Sequence, residues 1–229
     1  MNVYISFLIG FVFLNAQTAS LPKNAPISVL SSIKTVDIKH TSEISTFDPT
    51  WVDSLSLSLP CYGIPVPKRT MRLPNAPRNY RNGTHKGLDF FANWGTPVRS
   101  VADGIVVRSD LHYEEVPADF RENLLKATTK VGYTPSDIFN SVLLGKSVFL
   151  DHGFDLIPGF RTISIYAHLS HIEKEIVPGA VVKRGELLGK SGNTGMREST
   201  IGSKAGSHLH WEMILQKGEQ EIYLGKGMS

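Results

Sequence analysis

Ser207-His208-Leu209-His210-Trp211-Glu212-Met213-Ile214-Leu215 reads as one β-strand with two different faces. Residues i and i+2 of a strand face the same side, so His208 and His210 bring their imidazoles to one small volume, their Cα atoms about 6.6 Å apart. Trp211 and Met213, followed by Leu215, fall on the opposite alternation and suit a face packed into a core. The stretch therefore asks for a sheet that is apolar on one side and carries polar chemistry on the other.

Outward from this strand, short apolar segments recur between turn residues: Asn82-Gly83, Asp103-Gly104, Pro178-Gly179 and Gly192-Asn193-Thr194-Gly195. That rhythm predicts an antiparallel β domain, with further strands at Gly87 to Ala92, Pro97 to Val101, Gly104 to Arg108, Lys146 to Asp151, Thr162 to His168, Ala180 to Lys183 and Leu187 to Lys190. One interval, 109–144, breaks it. Val116, Phe120, Leu124, Ala127 and Val131 recur at helical spacing and stop at Gly132; Thr134 then offers an N-cap and Pro135 a first helical residue, with Ile138, Phe139, Val142 and Leu143 as a buried face. The fold expected is all-β with a small helical insertion, packed over a sheet edge or shaping a groove.

The 229 residues suit one sizeable domain plus an appendage. With 41% hydrophobic and 20% charged residues the chain can bury an ordinary core. Its net charge of +3 is mild and no basic cluster stands out, which argues against nucleic acid as a partner. Cys61 is the only cysteine, excluding an intramolecular disulfide framework and a four-cysteine zinc site; it reads as a small buried hydrophobe. The apolar run Val3 to Leu14 falls short of the roughly 20 residues of a membrane-spanning helix and is followed by small residues. Residues 1–19 are thus expected to be a cleaved signal peptide, leaving no transmembrane span, with the mature protein secreted or periplasmic and associated with the cell envelope. Residues 20–60 read as a Ser/Thr-rich arm or linker, in which Leu55, Leu57 and Leu59 alternate with serines as in a half-buried strand that docks on the core. The remainder, 61–229, is the expected main domain. Nothing in the sequence speaks to oligomeric state.

Three histidine-bearing segments can be read together: His85-Lys86-Gly87-Leu88-Asp89, Tyr166-Ala167-His168-Leu169-Ser170 and His208-Leu209-His210. Straight strand would hold the Cα atoms of His85 and Asp89 about 13 Å apart, too far for a shared metal, so the chain must bend between them, with Gly87 at the midpoint free to adopt the angles. Two neutral imidazoles plus one carboxylate suit Zn²⁺ at neutral pH and leave a fourth position for water, the pattern of a catalytic zinc.

At this point the chain resembles the lysostaphin and LytM-type zinc endopeptidases. The resemblance rests on six collinear segments: Thr84 to Phe90, Gly95 to Val98, Asp151-His152-Gly153, Tyr166 to Ser170, Gly189 to Gly195 and His208 to Glu212. It covers roughly residues 60–225, leaving the arm unexplained and the interval 109–144 longer than the family's loop. It implies a compact antiparallel β-sheet domain with one zinc in a groove, held by His85, Asp89 and His210, and His168 and His208 as catalytic histidines. It also implies peptide bonds of cell-wall peptidoglycan as substrate.

The mechanism expected is hydrolysis by metal-activated water. His208 is placed to take or orient the water's proton, while His168 stabilises the oxyanion or protonates the leaving amine. The sequence leaves open which of the two is the base. Tyr80, five residues before His85, is a further candidate oxyanion donor. His152 is expected to fix a turn, and His40, His112 and His171 to lie on the surface. The alternative to an enzyme is a non-catalytic wall-binding or regulatory module on the same fold; the complete set of ligands and catalytic histidines favours the enzyme.

Overall fold

The computed structural model describes residues 46–228. The expected signal peptide, His40 and most of the Ser/Thr-rich arm lie outside the described residues. The strands are β1 (Pro77–Arg78), β2 (Gly83–Thr84), β3 (Leu88–Phe90), β4 (Pro97–Arg99), β5 (Gly104–Ser109), β6 (Val148–Asp151), β7 (Arg161–Ala167), β8 (Leu169–Ile172), β9 (Val181–Val182), β10 (Leu187–Ser191), β11 (Leu209–Lys217) and β12 (Gln220–Tyr223). The helices are α1 (Ala118–Val131), α2 (Ser136–Ile138), which continues as a π-helical turn over Phe139–Leu143, and α3 (Arg197–Thr200). Among the described residues no helix is long and apolar enough to cross a membrane.

The pairing is antiparallel throughout and makes two main sheets. The larger has the order β12-β11-β7-β6-β5-β9, with β3 added alongside the start of β11; the smaller is β4-β10-β8. Between them lies the main core, where Leu209, Trp211, Met213 and Leu215 of β11 meet Val98, Leu169 and Leu188 of the small sheet. The alternation expected for 207–215 is thus the observed one. The opposite face of the large sheet is covered by the insertion, whose Phe139, Leu143 and Leu144 pack on Ile165, Ala167 and Ile214. Strand β7 is consequently buried on both faces, Tyr166 joining the main core while Ile165 and Ala167 meet the insertion.

Residues 46–60 dock on the main core through Phe47, Trp51, Val52, Leu55 and Leu57. Trp51 lies edge-on to Phe47 with ring centroids 5.5 Å apart and against Phe160 at 4.7 Å. The segment is tied down by Ser58 N–H to Val101 O (3.0 Å) and Arg99 N–H to Pro60 O (2.8 Å), and Leu55 to Leu59 forms no ladder strand. Cys61 is fully buried in the same core, and burial pushes its thiol up to about 12, so it behaves as a hydrophobe.

Three local expectations are corrected. Helix α1 stops at Gly132, which takes the left-handed conformation, but its apolar stripe faces outward: Phe120 is 50% and Val131 56% exposed, while Arg121 and Thr128 are buried. The polar face turns inward because it finds hydrogen-bond partners there, Arg121 Nε donating to Gly195 O (3.1 Å) and Thr128 O accepting from Asn82 Nδ2 (3.1 Å). Thr134 does not cap the following helix, because its hydroxyl donates to the Arg81 carbonyl instead; Pro135 occupies the cap position. Gly87 bends nothing through a positive φ. Its need is space, since a Cβ there would collide with the backbone carbonyl of Trp211 and come within 2.8 Å of Glu212 Cγ.

The last point sets a test of the packing between β3 and β11. Gly87→Ala should cost about 1–3 kcal/mol through forced separation of two backbones, seen as a melting temperature lower by several degrees. An unchanged thermal melt would show that the contact relaxes freely.

Candidate metal centre and active site

The register of β11 assembles the site. His210 lies opposite Asp89 of β3 on one side and opposite Ala167 of β7 on the other, so a carboxylate, an imidazole and the residue before His168 meet on one face of the sheet. His85 arrives from the hairpin β1–β2, where its N–H donates to Ala76 O (2.9 Å). His208 immediately precedes β11 and bridges to Gly192. His168 has a left-handed backbone (φ 60°) at the corner where the chain leaves β7 for β8; its N–H donates to Leu144 O (2.9 Å). A non-glycine residue in this region costs of order 1 kcal/mol, and histidine is among those that tolerate it.

One cavity of about 180 Å³ is lined by all six residues named from the sequence: Tyr80, His85, Asp89, His168, His208 and His210. Tyr80 stands at its edge, 57% exposed. The nitrogens of the four histidines divide in a consistent way. His85 Nδ1–H donates to Leu73 O (2.8 Å), leaving Nε2 at 2.9 Å from Asp89 Oδ1 and 3.0 Å from His210 Nδ1. His210 Nε2–H donates to Glu212 Oε1 (2.7 Å), leaving Nδ1 at 2.8 Å from Asp89 Oδ1. His168 Nδ1–H donates to Thr194 O (2.8 Å) and His208 Nδ1–H to Gly206 O (2.8 Å). His208 Nε2 lies 3.5 Å from Asp89 Oδ1, and the His168 ring stands 4.9 Å from that of His208.

His85 Nε2, Asp89 Oδ1 and His210 Nδ1 all lie within 4.8 Å of one another, the one such group of potential metal ligands found among the described residues. The donor set fits zinc: two imidazole nitrogens and one carboxylate oxygen converge, each with its second polar atom already engaged. For Asp89 that second atom is Oδ2, which accepts from Arg78 Nη2 (3.1 Å), so only Oδ1 faces the histidines.

The electrostatics follow from burial and these contacts. Burial alone would raise the Asp89 carboxyl, but its close contacts with the His210 and His85 rings outweigh this and hold the group well below the usual carboxylate range. For His210 burial works toward a lower value, and its hydrogen bonds to Asp89 and Glu212 reverse this, raising it to about 9. A ring between two carboxylates is a strongly basic donor. His168 is pushed well below 6.5 by burial and by the neighbouring His208 and His210, and His208 is lowered by burial. Both are therefore neutral near pH 7, with Nδ1 as donor and Nε2 as acceptor.

Several contributors carry no role in the sequence reading. Glu212 stands in the motif, and its spacing of two from His210 on the same strand face is a usable signal; it is fully buried and orients the ring. Arg78, and Arg72 whose Nη1 donates to Asp89 O (3.2 Å), come from a two-residue strand and a single helical turn with no such signal. The insertion also reaches the site: Arg121, Phe139, Leu143 and Leu144 line the cavity. His152 does not line it; it joins Asp103 O (2.6 Å) to the Ser164 hydroxyl (2.7 Å) and steadies β7. The side chain of His171 is exposed, 3.8 Å from Glu173.

The family model described as Peptidase family M23 matches residues 83–222. A protein described as an uncharacterized metalloprotease from Haemophilus influenzae is 32% identical over 128 residues, 56% of this chain and 18% of that protein. The peptidoglycan DD-endopeptidase ShyA of Vibrio cholerae is 29% identical over 140 residues, 61% of this chain and 22% of its own. The chain thus spans about a fifth of the length of the curated relatives it matches. Among solved structures, the catalytic domain of the antimicrobial peptidase lysostaphin from Staphylococcus simulans aligns over 73% of this chain and 86% of its own, at 21% identity and a TM-score of 0.38.

The role given to Glu212 has a direct check. Glu212→Gln preserves shape but weakens the partner of His210 Nε2–H, and zinc affinity measured by chelator competition should fall about 10- to 100-fold. Unchanged affinity would mean the ring is oriented by packing alone.

Proposed function

The chain belongs to peptidase family M23, and on that basis we propose that it is a zinc endopeptidase hydrolysing peptide bonds in cell-wall peptidoglycan. One observation carries the reading. Four histidines each have one ring nitrogen committed to a fixed carbonyl or carboxylate, and all four line one cavity with Asp89. His85 Nε2, Asp89 Oδ1 and His210 Nδ1 would hold the metal. Zinc supplies Lewis-acid chemistry there: a polarised carbonyl and a water pKa brought down to about 7. Export to the cell envelope, through the apolar run Val3 to Leu14, completes the proposal.

The protein's own residues then handle protons and position. His208 accepts the proton of the attacking water at Nε2, because its other nitrogen is pinned as a donor and the imidazolium it becomes is stabilised by Asp89 at 3.5 Å. It returns that proton to the departing amine. His168, more strongly held neutral, accepts the second hydrogen of the water at Nε2 and so aims the oxygen at the carbonyl carbon. This replaces the oxyanion or acid role expected for His168 with an orienting one. Tyr80, at the cavity edge, remains the candidate donor to the oxyanion.

The test measures zinc per chain and the release of new amines from purified peptidoglycan on the same samples. Wild type should hold about one zinc and release amines. His168→Ala should keep the metal and lose activity by about 10²- to 10⁴-fold, whereas His210→Ala should lose both. Stoichiometric zinc without amine release in the wild type would favour a binding or regulatory module, and no zinc in metal-replete protein would sink the ligand assignment.

A further inference from the structure

Three arginines, Arg78, Arg81 and Arg121, line the catalytic cavity. Two are committed within the protein. Arg78 pairs with Asp89 and donates to Met71 O (2.9 Å); Arg81 donates to Thr84 O (2.6 Å), with its guanidinium carbon 4.7 Å from the centre of the Phe139 ring. Arg121 differs. It is 8% exposed, it comes from the inward face of α1, and it forms no ion pair among the described residues. Its Nε donates to Gly195 O, and Nη1 and Nη2 have no protein partner among the described residues. Glu115 of the same insertion accepts from Gly195 N–H (2.9 Å) and the Tyr113 hydroxyl (2.9 Å) and makes no ion pair with Arg121.

Buried N–H donors left without acceptors are costly unless something completes them. Two parallel N–H groups on one planar fork match the two oxygens of a carboxylate. The insertion also holds this side chain rigidly. Gly195 packs so closely on the insertion's end that a Cβ would meet Leu143 O and Val142 O at 2.7 Å, leaving the turn that carries Arg121's acceptor little freedom. We propose that Arg121 is a substrate-carboxylate receptor, and that the protein selects peptides with a free carboxylate beside the scissile bond over all-neutral ones such as oligoglycine. The inference rests on the peptidase reading above and adds a substrate class to it. A cavity of about 180 Å³ shared by Arg121 and the catalytic histidines leaves room for little more than one residue between carboxylate and reacting carbonyl.

The carboxylate has two sources, a chain terminus or an amino-acid side chain, and three synthetic stem-peptide probes separate them: terminal acid with side-chain amide, terminal amide with side-chain acid, and amide at both. The readouts are kcat/KM for hydrolysis and, independently, equilibrium binding to the hydrolysis-deficient His168→Ala protein. Wild type should prefer one acid probe over the double amide by roughly ten- to a hundredfold. Arg121→Gln should erase that preference, lowering kcat/KM and binding of the favoured acid probe by roughly ten- to a hundredfold more than those of the double amide, and Arg121→Lys should recover part of it. Equal treatment of all three probes by the wild type in both readouts overturns the proposal. So does an Arg121→Gln loss of the same size on every probe, which would mark the side chain as a brace for Gly195. If no probe is cleaved yet an acid probe binds selectively through Arg121, the receptor stands and the peptidase reading falls.

Discussion

Strand β11 is hydrogen-bonded on both sides at its start, and this double pairing is the constraint on which the rest of the molecule depends. One partner, β3, brings Asp89 opposite His210; the other, β7, brings the corner at His168 alongside. A slip of one residue would exchange the faces, sending His210 and Glu212 into the core and Trp211 and Met213 out of it. The core face resists such a slip because Leu209, Trp211, Met213 and Leu215 are all buried, each worth about 1.5–3 kcal/mol. Precision at the polar face is thus inherited from packing on the apolar one.

The insertion uses the same sheet from the other side. Its second half is conventional, with Phe139, Leu143 and Leu144 sealing the large sheet beside the histidines. Its first half is not. Helix α1 keeps Phe120 and Val131 outside and buries Arg121 and Thr128, an orientation that makes sense only where the inner surface offers carbonyls and a polar cavity. The segment grips the turn 192–195 at Gly195, and the adjacent Thr194 carbonyl fixes the tautomer of His168. Insertion and catalytic histidine are therefore mechanically continuous.

How much of this was legible varied with the range of the interaction responsible. The two-residue alternation of β11, the helix ending at Gly132 and the convergence of His85, Asp89, His168, His208 and His210 are local patterns or a family pattern, and each could be read. The orientation of α1 could not, because amphipathic spacing says where apolar residues lie but not whether the surface beneath is apolar. Gly87 was readable as special and misread as to why: the demand comes from Trp211, far along the chain. Arg78 on Asp89 and the docking of Phe47 and Trp51 escaped for the same reason, being contacts between segments too short to carry a period of their own. The hairpin β1–β2 and strand β12 are too short or too polar to stand out from loop.

The left-handed backbone at His168 reaches beyond mechanism into how such a protein can decay. Most side chains are strained there, while glycine is free of the penalty and asparagine or aspartate bears it well. If selection for turnover lapsed, drift at this corner would be channelled into that short set of replacements, because a branched aliphatic residue would disturb the junction of two sheets as well as the chemistry. Among descendants that had become inactive, the residue standing at this corner would therefore record a backbone's tolerance, whereas changes at His208, whose backbone carries no such restriction, would spread more widely.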